Sequence, residues 1–188
     1  MKIKCIFAER GLYAFIAPES EDNEDEFESI FDKWTDVEYL EGFFEVNKHL
    51  LNDPFYDSLS VEQAIRQTLA DARSLQKLII GSSVQGKLDD IFQPLENSEY
   101  RQVSLLKSKA YGTARKSWLR IYAIKIDDNL YVITGGAIKL TATMSESIDC
   151  EREHRKLKRY RDFLREELIM DEDSFKELEI IHERHDNE

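Results

Sequence analysis

YVITGGAIKLT, residues 131–141, decides how the fold is read. The run is rich in β-branched residues, yet it carries two adjacent glycines and then a lysine between apolar neighbours. Glycine weakens a strand unless a bulge or a close backbone approach calls for it. The pair is therefore read as a kink between two strands of a small sheet. Beyond it AIKLTAT alternates, with Ile138, Leu140 and Ala142 on one face and Ala137, Lys139, Thr141 and Thr143 on the other. A bulge or tight bend at Gly135-Gly136 lets the chain turn into a third strand without straining a side chain. The third glycine and the strand-to-helix context of a dinucleotide fingerprint are both missing.

Before this run, WLRIYAIKI (residues 118–126) places Leu119, Ile121 and Ala123 on one side and Trp118, Arg120 and Tyr122 on the other. Asp127-Asp128-Asn129 is a turn cluster, and LYVIT returns as the next strand. At the N-terminus KIKCIFAERGLYAFIA reads as two strands joined at Glu9-Arg10-Gly11. The acidic stretch PESEDNEDEFES that follows reads as a solvated loop or helix entry.

Helical spacing fills the middle of the chain. Thr35 and Glu38 have capping-box spacing before Val37, Leu40, Phe43, Phe44, Leu50 and Leu51, which predicts a helix from about 36 to 51, ended by Asn52-Asp53-Pro54. Ser60 and Gln63 repeat the signal, and Val61, Ala64, Ile65, Leu69, Ala72, Leu75 and Ile79 continue the period up to Gly81. KLDDIFQPL (87–95) is too short for more than a turn or one helical winding. A helix from about Asp149 to Leu168 carries Cys150, Leu157, Leu164 and Leu168 on one stripe with Tyr160 beside it, and a short last helix spans 173–182. The order argues one α+β domain over 1–188, helix-rich from about 26 to 97, then a small antiparallel sheet and C-terminal helix from about 98, with the helices packed on one face of the sheet.

Composition sets the outer bounds. The chain has 188 residues, 41% of them hydrophobic and 34% charged, with 7 Gly and 3 Pro, a balance that excludes a mostly disordered chain. The opening residues lack a signal-peptide pattern and no run is apolar enough to span a bilayer, so the expected address is the cytoplasm, with no membrane partner. Cys5 and Cys150 lack metal-ligand spacing and are read as reduced, small, buried residues. No nucleophile elbow, phosphate loop or metal-ligand cluster is present, HERH at 182–185 lacks zincin spacing, and no cofactor is expected. His154, at the shoulder of the C-terminal stripe, is read as structural. The net charge of −12 is unevenly spread: residues 99–145 hold 8 Lys or Arg against 3 Asp or Glu, a local +5.

If the apolar rows of the strands face the helices, Arg120, Tyr122 and Lys139 share the opposite, open face. A guanidinium grips phosphate bidentately, an ammonium supplies a mobile charge, and a phenol offers a ring for a base; together they suit RNA. The alternative is that Arg120 and Lys139 solvate an exposed sheet face while Trp118 and Tyr122 form a cross-strand cluster. Arg101, Lys107, Lys109, Arg115 and Lys116, with Tyr111 and Gly112 among them, read as a basic loop suited to a phosphate backbone or to the chain's own carboxylates.

From Trp118 to Met144 the sequence resembles the sheet of the RelE/HigB-like toxins of bacterial toxin-antitoxin pairs, in which an Arg and an aromatic share a central strand and Gly, Lys and threonines follow the next hairpin. The chain departs from that pattern at Leu140, where many relatives have a second Lys, and at Ala137 or Ile138, where a Phe is common. The resemblance implies a ribosome-dependent, metal-free mRNA endonuclease held inactive by an antitoxin. It assigns Arg120 to the phosphate at the reacting centre, Lys139 to charge stabilisation or proton transfer, and Tyr122 to positioning a base. The rival expectations on the same scaffold are a non-catalytic protein-binding module and a ParE-like inhibitor of a nucleic-acid enzyme.

Overall fold

The computed structural model describes residues 1–7, 11–16, 23–56, 58–95, 105–114, 116–141 and 148–185. In chain order it comprises β1 (Ile3–Phe7), β2 (Leu12–Phe15), α1 (Glu26–Thr35), α2 (Val37–Val46), α3 (Lys48–Leu51), α4 (Val61–Gln85), β3 (Gln93–Pro94), β4 (Leu106–Tyr111), β5 (Leu119–Asp127), β6 (Leu130–Ile138), α5 (Ile148–Glu166) and α6 (Glu172–His185), with 3₁₀ turns at Pro54–Tyr56 and Leu88–Asp90. The class is α+β. The strands form one six-stranded sheet in the order β1-β2-β6-β5-β4-β3. It is mixed rather than antiparallel, because β2 runs parallel to β6 through Leu12↔Tyr131, Tyr13↔Val132 and Ala14↔Ile133. Among the described residues no helix is long and apolar enough to cross a membrane.

The expectation of helices on a single face is corrected. Leu119, Ile121, Ala123, Ile133 and Ile138 pack with Phe27, Phe31 and Trp34 of α1, Leu40 and Phe44 of α2, and Leu75 and Ile79 of α4. Tyr122, Ile124, Ile126, Val132 and Ala137 pack on the other side with Cys150, Leu157, Tyr160 and Leu164 of α5 and Phe175 of α6. Beyond Arg120 the second row of β5 is itself apolar, and a sheet with two apolar faces is stable only when both are covered.

Most helices follow their sequence signals, with instructive shifts. Ser60 closes a complete capping box, its Oγ accepting from Gln63 N and Gln63 Oε1 accepting from Ser60 N. The helix it starts runs past Gly81 to Gly86, which has φ +65° and ends it in the left-handed conformation. At the preceding boundary the cap is Asp36 rather than Thr35: Asp36 Oδ1 accepts from Glu38 N and Tyr39 N at 2.8 and 3.2 Å. The helix expected from 36 to 51 is divided at Asn47. The acidic stretch does enter a helix, with Asp25 accepting from Phe27 N and Glu28 N at 2.9 Å. In α1, Phe27, Ile30, Phe31 and Trp34 lie on one buried stripe. Leu168, expected on the α5 stripe, lies beyond the helix, 76% exposed and at φ +58°.

The two glycines lie within one continuous strand, and no third strand follows them among the described residues; residues 142–147, which include the last two of AIKLTAT, lie outside those described. Tyr122 pairs with Gly135 but Ala123 pairs with Ile133, so Thr134 is an extra residue and forms a bulge. The bulge shifts the alternation by one. Ile133 and Ile138 can thereby face the same cluster although they are five positions apart. A Cβ on Gly135, which has φ +149°, would stand 1.9 Å from Glu153 Oε2 and 2.7 Å from Lys156 Cε; one on Gly136 would stand 2.9 Å from Arg120 O and 3.1 Å from the Trp34 ring. The glycines thus admit α5 on one side of the strand and α1 on the other. Beside them Lys156 Nζ lies 2.7 Å from Glu26 Oε2 and 2.8 Å from Glu153 Oε2. Lys156 is thus shared between a carboxylate of α1 and one of its own helix, and it is the cation that faces the buried Glu153 Oε2. Burial pushes the Glu153 carboxyl up from its ordinary range, and Lys156 opposes that rise.

Gly135→Ala is expected to destabilise the protein by about 1–3 kcal/mol, since it adds both a clash and a strained φ. Gly42→Ala, at an exposed position in α2 where a new Cβ meets nothing within 4 Å, should instead stabilise by about 0.5–1 kcal/mol. Urea unfolding of the two variants beside the parent checks the opposite signs.

Candidate nucleic-acid interface

β4 is a strand where the sequence suggested a basic loop. It pairs antiparallel with β5 through Lys107↔Ile124, Lys109↔Tyr122 and Tyr111↔Arg120. Directly opposed residues share a face, so these six side chains lie on the side that α5 packs against. Cover diminishes along the row: Lys107 is 6% exposed and Tyr122 1%, whereas Tyr111 is 39% exposed. The expected open face therefore exists only at its Tyr111–Arg120 end.

This placement separates the predicted site residues. Tyr122 is walled in beside Cys150, and burial pushes its hydroxyl far above the usual range; it is not on an open surface. Lys107 is likewise buried. Lys109 is half-buried, its Nζ donating to Leu95 O at 3.2 Å and standing 5.8 Å from the Tyr111 ring centre. Lys116 is half-buried, with Nζ 5.6 Å from the Phe55 ring centre. Arg115 and Arg101 lie outside the described residues.

Arg120 and Lys139 remain together at the uncovered end. Arg120 Cζ sits 4.3 Å above the Tyr111 ring, a stacking distance for a guanidinium. Its Nη1 donates to Ser117 O at 2.9 Å and to Leu119 O at 2.7 Å. These bonds engage Nη1 alone, so the Nε–Nη2 edge, the one that grips a phosphate bidentately, takes no part in them. Burial lowers the Arg120 pKa, but an arginine stays charged at neutral pH. Lys139 N donates to Trp118 O at 2.8 Å while Arg120 pairs with Ala137, so the lysine is the diagonal neighbour of the arginine across β5 and β6.

Three residues that sequence reasoning missed complete this end. Tyr56 donates its hydroxyl to Leu140 O at 3.1 Å and packs its ring 5.6 Å from Trp118. Its hydroxyl pKa is raised by burial, and Arg120 opposes that rise. Phe55, next to it, is 59% exposed. The signal was the pair FY directly after Asn52-Asp53-Pro54, two aromatics belonging to no helical period. Asp71, in α4, holds the β4–β5 loop: its Oδ1 accepts from Thr113 N, Thr113 Oγ1 and Ala114 N at 2.6, 2.9 and 2.9 Å, and its Oδ2 accepts from Ser117 Oγ. Next to this anchor Trp118 Nε1 donates to Thr68 Oγ1 at 2.9 Å. A fixed loop fixes Ser117 O, and with it the Arg120 guanidinium.

The arrangement offers a ring stacked under a guanidinium, ammonium groups beside it, and a rigid frame, which is chemistry for phosphate and base recognition. No family model, curated protein or solved structure matches the chain.

Asp71→Ala leaves four donors without their acceptor, three of them held by one oxygen. It is expected to cost about 2–4 kcal/mol in chemical denaturation. Asp71→Asn, which keeps one acceptor oxygen, should cost less than the alanine variant.

Proposed function

We propose that this chain acts on RNA as a RelE/HigB-like toxin, cleaving mRNA on the ribosome and neutralised by an antitoxin that covers the same surface. The observation that carries the reading is the Arg120–Tyr111 stack, in register across β4 and β5. Lys109 stands over the same ring and Lys139 is the diagonal strand neighbour of Arg120, in the basic part of a chain of net charge −12. An isolated basic surface on an acidic protein concentrates phosphate locally while repelling it elsewhere.

In this reading Arg120 holds the scissile phosphate through its Nε–Nη2 edge. The ribose 2′-OH loses its proton to a base and its oxygen attacks phosphorus. The bond to the 5′-oxygen breaks, and the leaving oxygen takes up a proton. Lys139 stabilises the charge that develops on the phosphoryl oxygens or passes that proton. Tyr111 takes over the base-positioning role assigned to Tyr122 by sequence. The second reading, a non-catalytic protein-binding module, is favoured by the hold of Ser117 O and Leu119 O on Arg120, which suits a docking surface equally well.

Induced expression in a bacterial host tests the reading. Wild type should arrest growth with cleavage mapped inside translated mRNA. Arg120→Ala and Lys139→Ala should relieve arrest by at least about tenfold in surviving colonies, consistent with the loss of one charge-stabilising contact. Tyr122→Phe should remain toxic, because that hydroxyl is buried. A harmless wild type would reject the nuclease in favour of the binding module, and arrest without cleaved mRNA would favour a ParE-like inhibitor.

A further inference from the structure

The outer side of α2 carries features that the chain's own packing does not require. From Asp36 to Asn47 the sequence DVEYLEGFFEVN holds four acidic residues and no Lys or Arg. Leu40 and Phe44 turn inward, and the Phe44 ring packs 5.6 Å from that of Trp118, which leaves the rest of the helix surface outward. Tyr39, Phe43 and Val46 follow one outer stripe at i, i+4 and i+7 spacing, the first two rings stacked at 6.4 Å. Tyr39 is 38% exposed and Val46 77%, with Phe43 half-buried between them. Glu38, Glu41 and Glu45 form a second stripe alongside. Glu45 reaches Lys48 at 3.3 Å, whereas Glu38 and Glu41 make no ion pair among the described residues. Gly42 lies between the two stripes. Glycine inside a helix is destabilising relative to alanine, yet a Cβ here would meet nothing within 4 Å, so no contact within the molecule calls for it. A bare position in the middle of an exposed face lets a second backbone come close.

We propose that the outer face of α2 docks a basic amphipathic helix of a partner protein. The apolar side chains of that helix pack along Tyr39, Phe43 and Val46, its Lys or Arg residues stand opposite Glu38, Glu41 and Glu45, and its backbone comes closest at Gly42. Burial of the apolar stripe supplies the affinity, while the glutamates select the partner's sign and repel an acidic helix. A second copy of the chain fits less well. Its arginine-rich helix, α5, turns Leu157, Tyr160 and Leu164 into the core and presents Arg152, Arg155 and Arg159 outward, so it offers charge without apolar contact. The α2 face belongs to the layer across the sheet from α5, so it is separate from the Arg120–Tyr111 row and does not depend on the RNA reading.

The test is fluorescence anisotropy at one fixed salt concentration, using a labelled peptide of about 18 leucines and lysines with leucine at i, i+3, i+4 and i+7, beside a peptide of the same composition whose order breaks that period. Wild type should bind the patterned peptide at least about tenfold more tightly than the scrambled one. Gly42→Leu should weaken binding at least about tenfold, and Gly42→Ala by about two- to fivefold although it stabilises the free protein. Gly81→Ala, at a glycine of α4 where a Cβ likewise meets nothing within 4 Å, should leave binding unchanged. Glu38→Lys with Glu41→Lys should cost about tenfold, whereas Glu166→Lys with Glu167→Lys, the same charge change at exposed positions by the end of α5, should cost under about twofold. Equal binding of the two peptides, equal losses from the two charge reversals, or a Gly42→Leu protein that binds like wild type would each overturn the inference. So would wild type that binds neither peptide, or that sediments as a dimer which Gly42→Leu separates, a result that gives the face to a second copy.

Discussion

A methyl group on Gly135 would overlap Glu153, and one on Gly136 would press on Trp34 and on the backbone of Arg120. Two consecutive residues of a central strand thus receive helices from opposite sides, and the closeness of both contacts follows from having no side chain there. Of the charged groups of α5 beside this point, Glu153 is buried and Lys156 half-buried, and both need partners. Lys156 reaches Glu26, the first residue of α1, whose other carboxylate oxygen accepts from Tyr160 at 2.9 Å. Buried ions are tolerated when paired and costly when orphaned, so this network constrains where α1 and α5 can sit as much as it stabilises them.

The same packing explains what the sheet can offer to a ligand. With helices on both faces, the middle of β5 and β6 has no accessible surface, and function is confined to the place where the helices stop. Tyr122 and Arg120 are two residues apart on one face, yet one is sealed against Cys150 while the other emerges beside Tyr111. The loop after β4 could have left that arginine mobile. Asp71 prevents this by gathering backbone and hydroxyl donors from Thr113, Ala114 and Ser117 onto one carboxylate.

The strands β5 and β6, the capping box at Ser60 and the helix after residue 148 were legible in the sequence because each rests on local rules: alternation, a cap, a 3.6-residue period. The two-sided burial was not, because period two says which residues share a face and not whether that face is covered. Arg120, at the end of its row, made a largely apolar face read as a polar one. The bulge was half legible: adjacent glycines signalled an irregularity, but whether the chain bends there or continues depends on α1 and α5, which pack from far along the sequence. Arg120 and Lys139, put on one face by alternation, are diagonal neighbours in the strand register. Phe55 and Asp71 were missed because their roles come from tertiary contact, one displayed by a buried neighbour and the other joining helix to loop.

The parallel pairing of β2 with β6 has a consequence for how the protein is made. Leu12 leaves the ribosome well before Tyr131, its partner, which follows only after α1 to α4 and three more strands have been synthesised. Until then the N-terminal hairpin lacks the neighbour that would seat it in the sheet. Such distant pairing slows folding and prolongs the exposure of unsatisfied strand edges. The nascent chain therefore carries β1 and β2 unseated until β6 emerges, a window in which chaperones would find them.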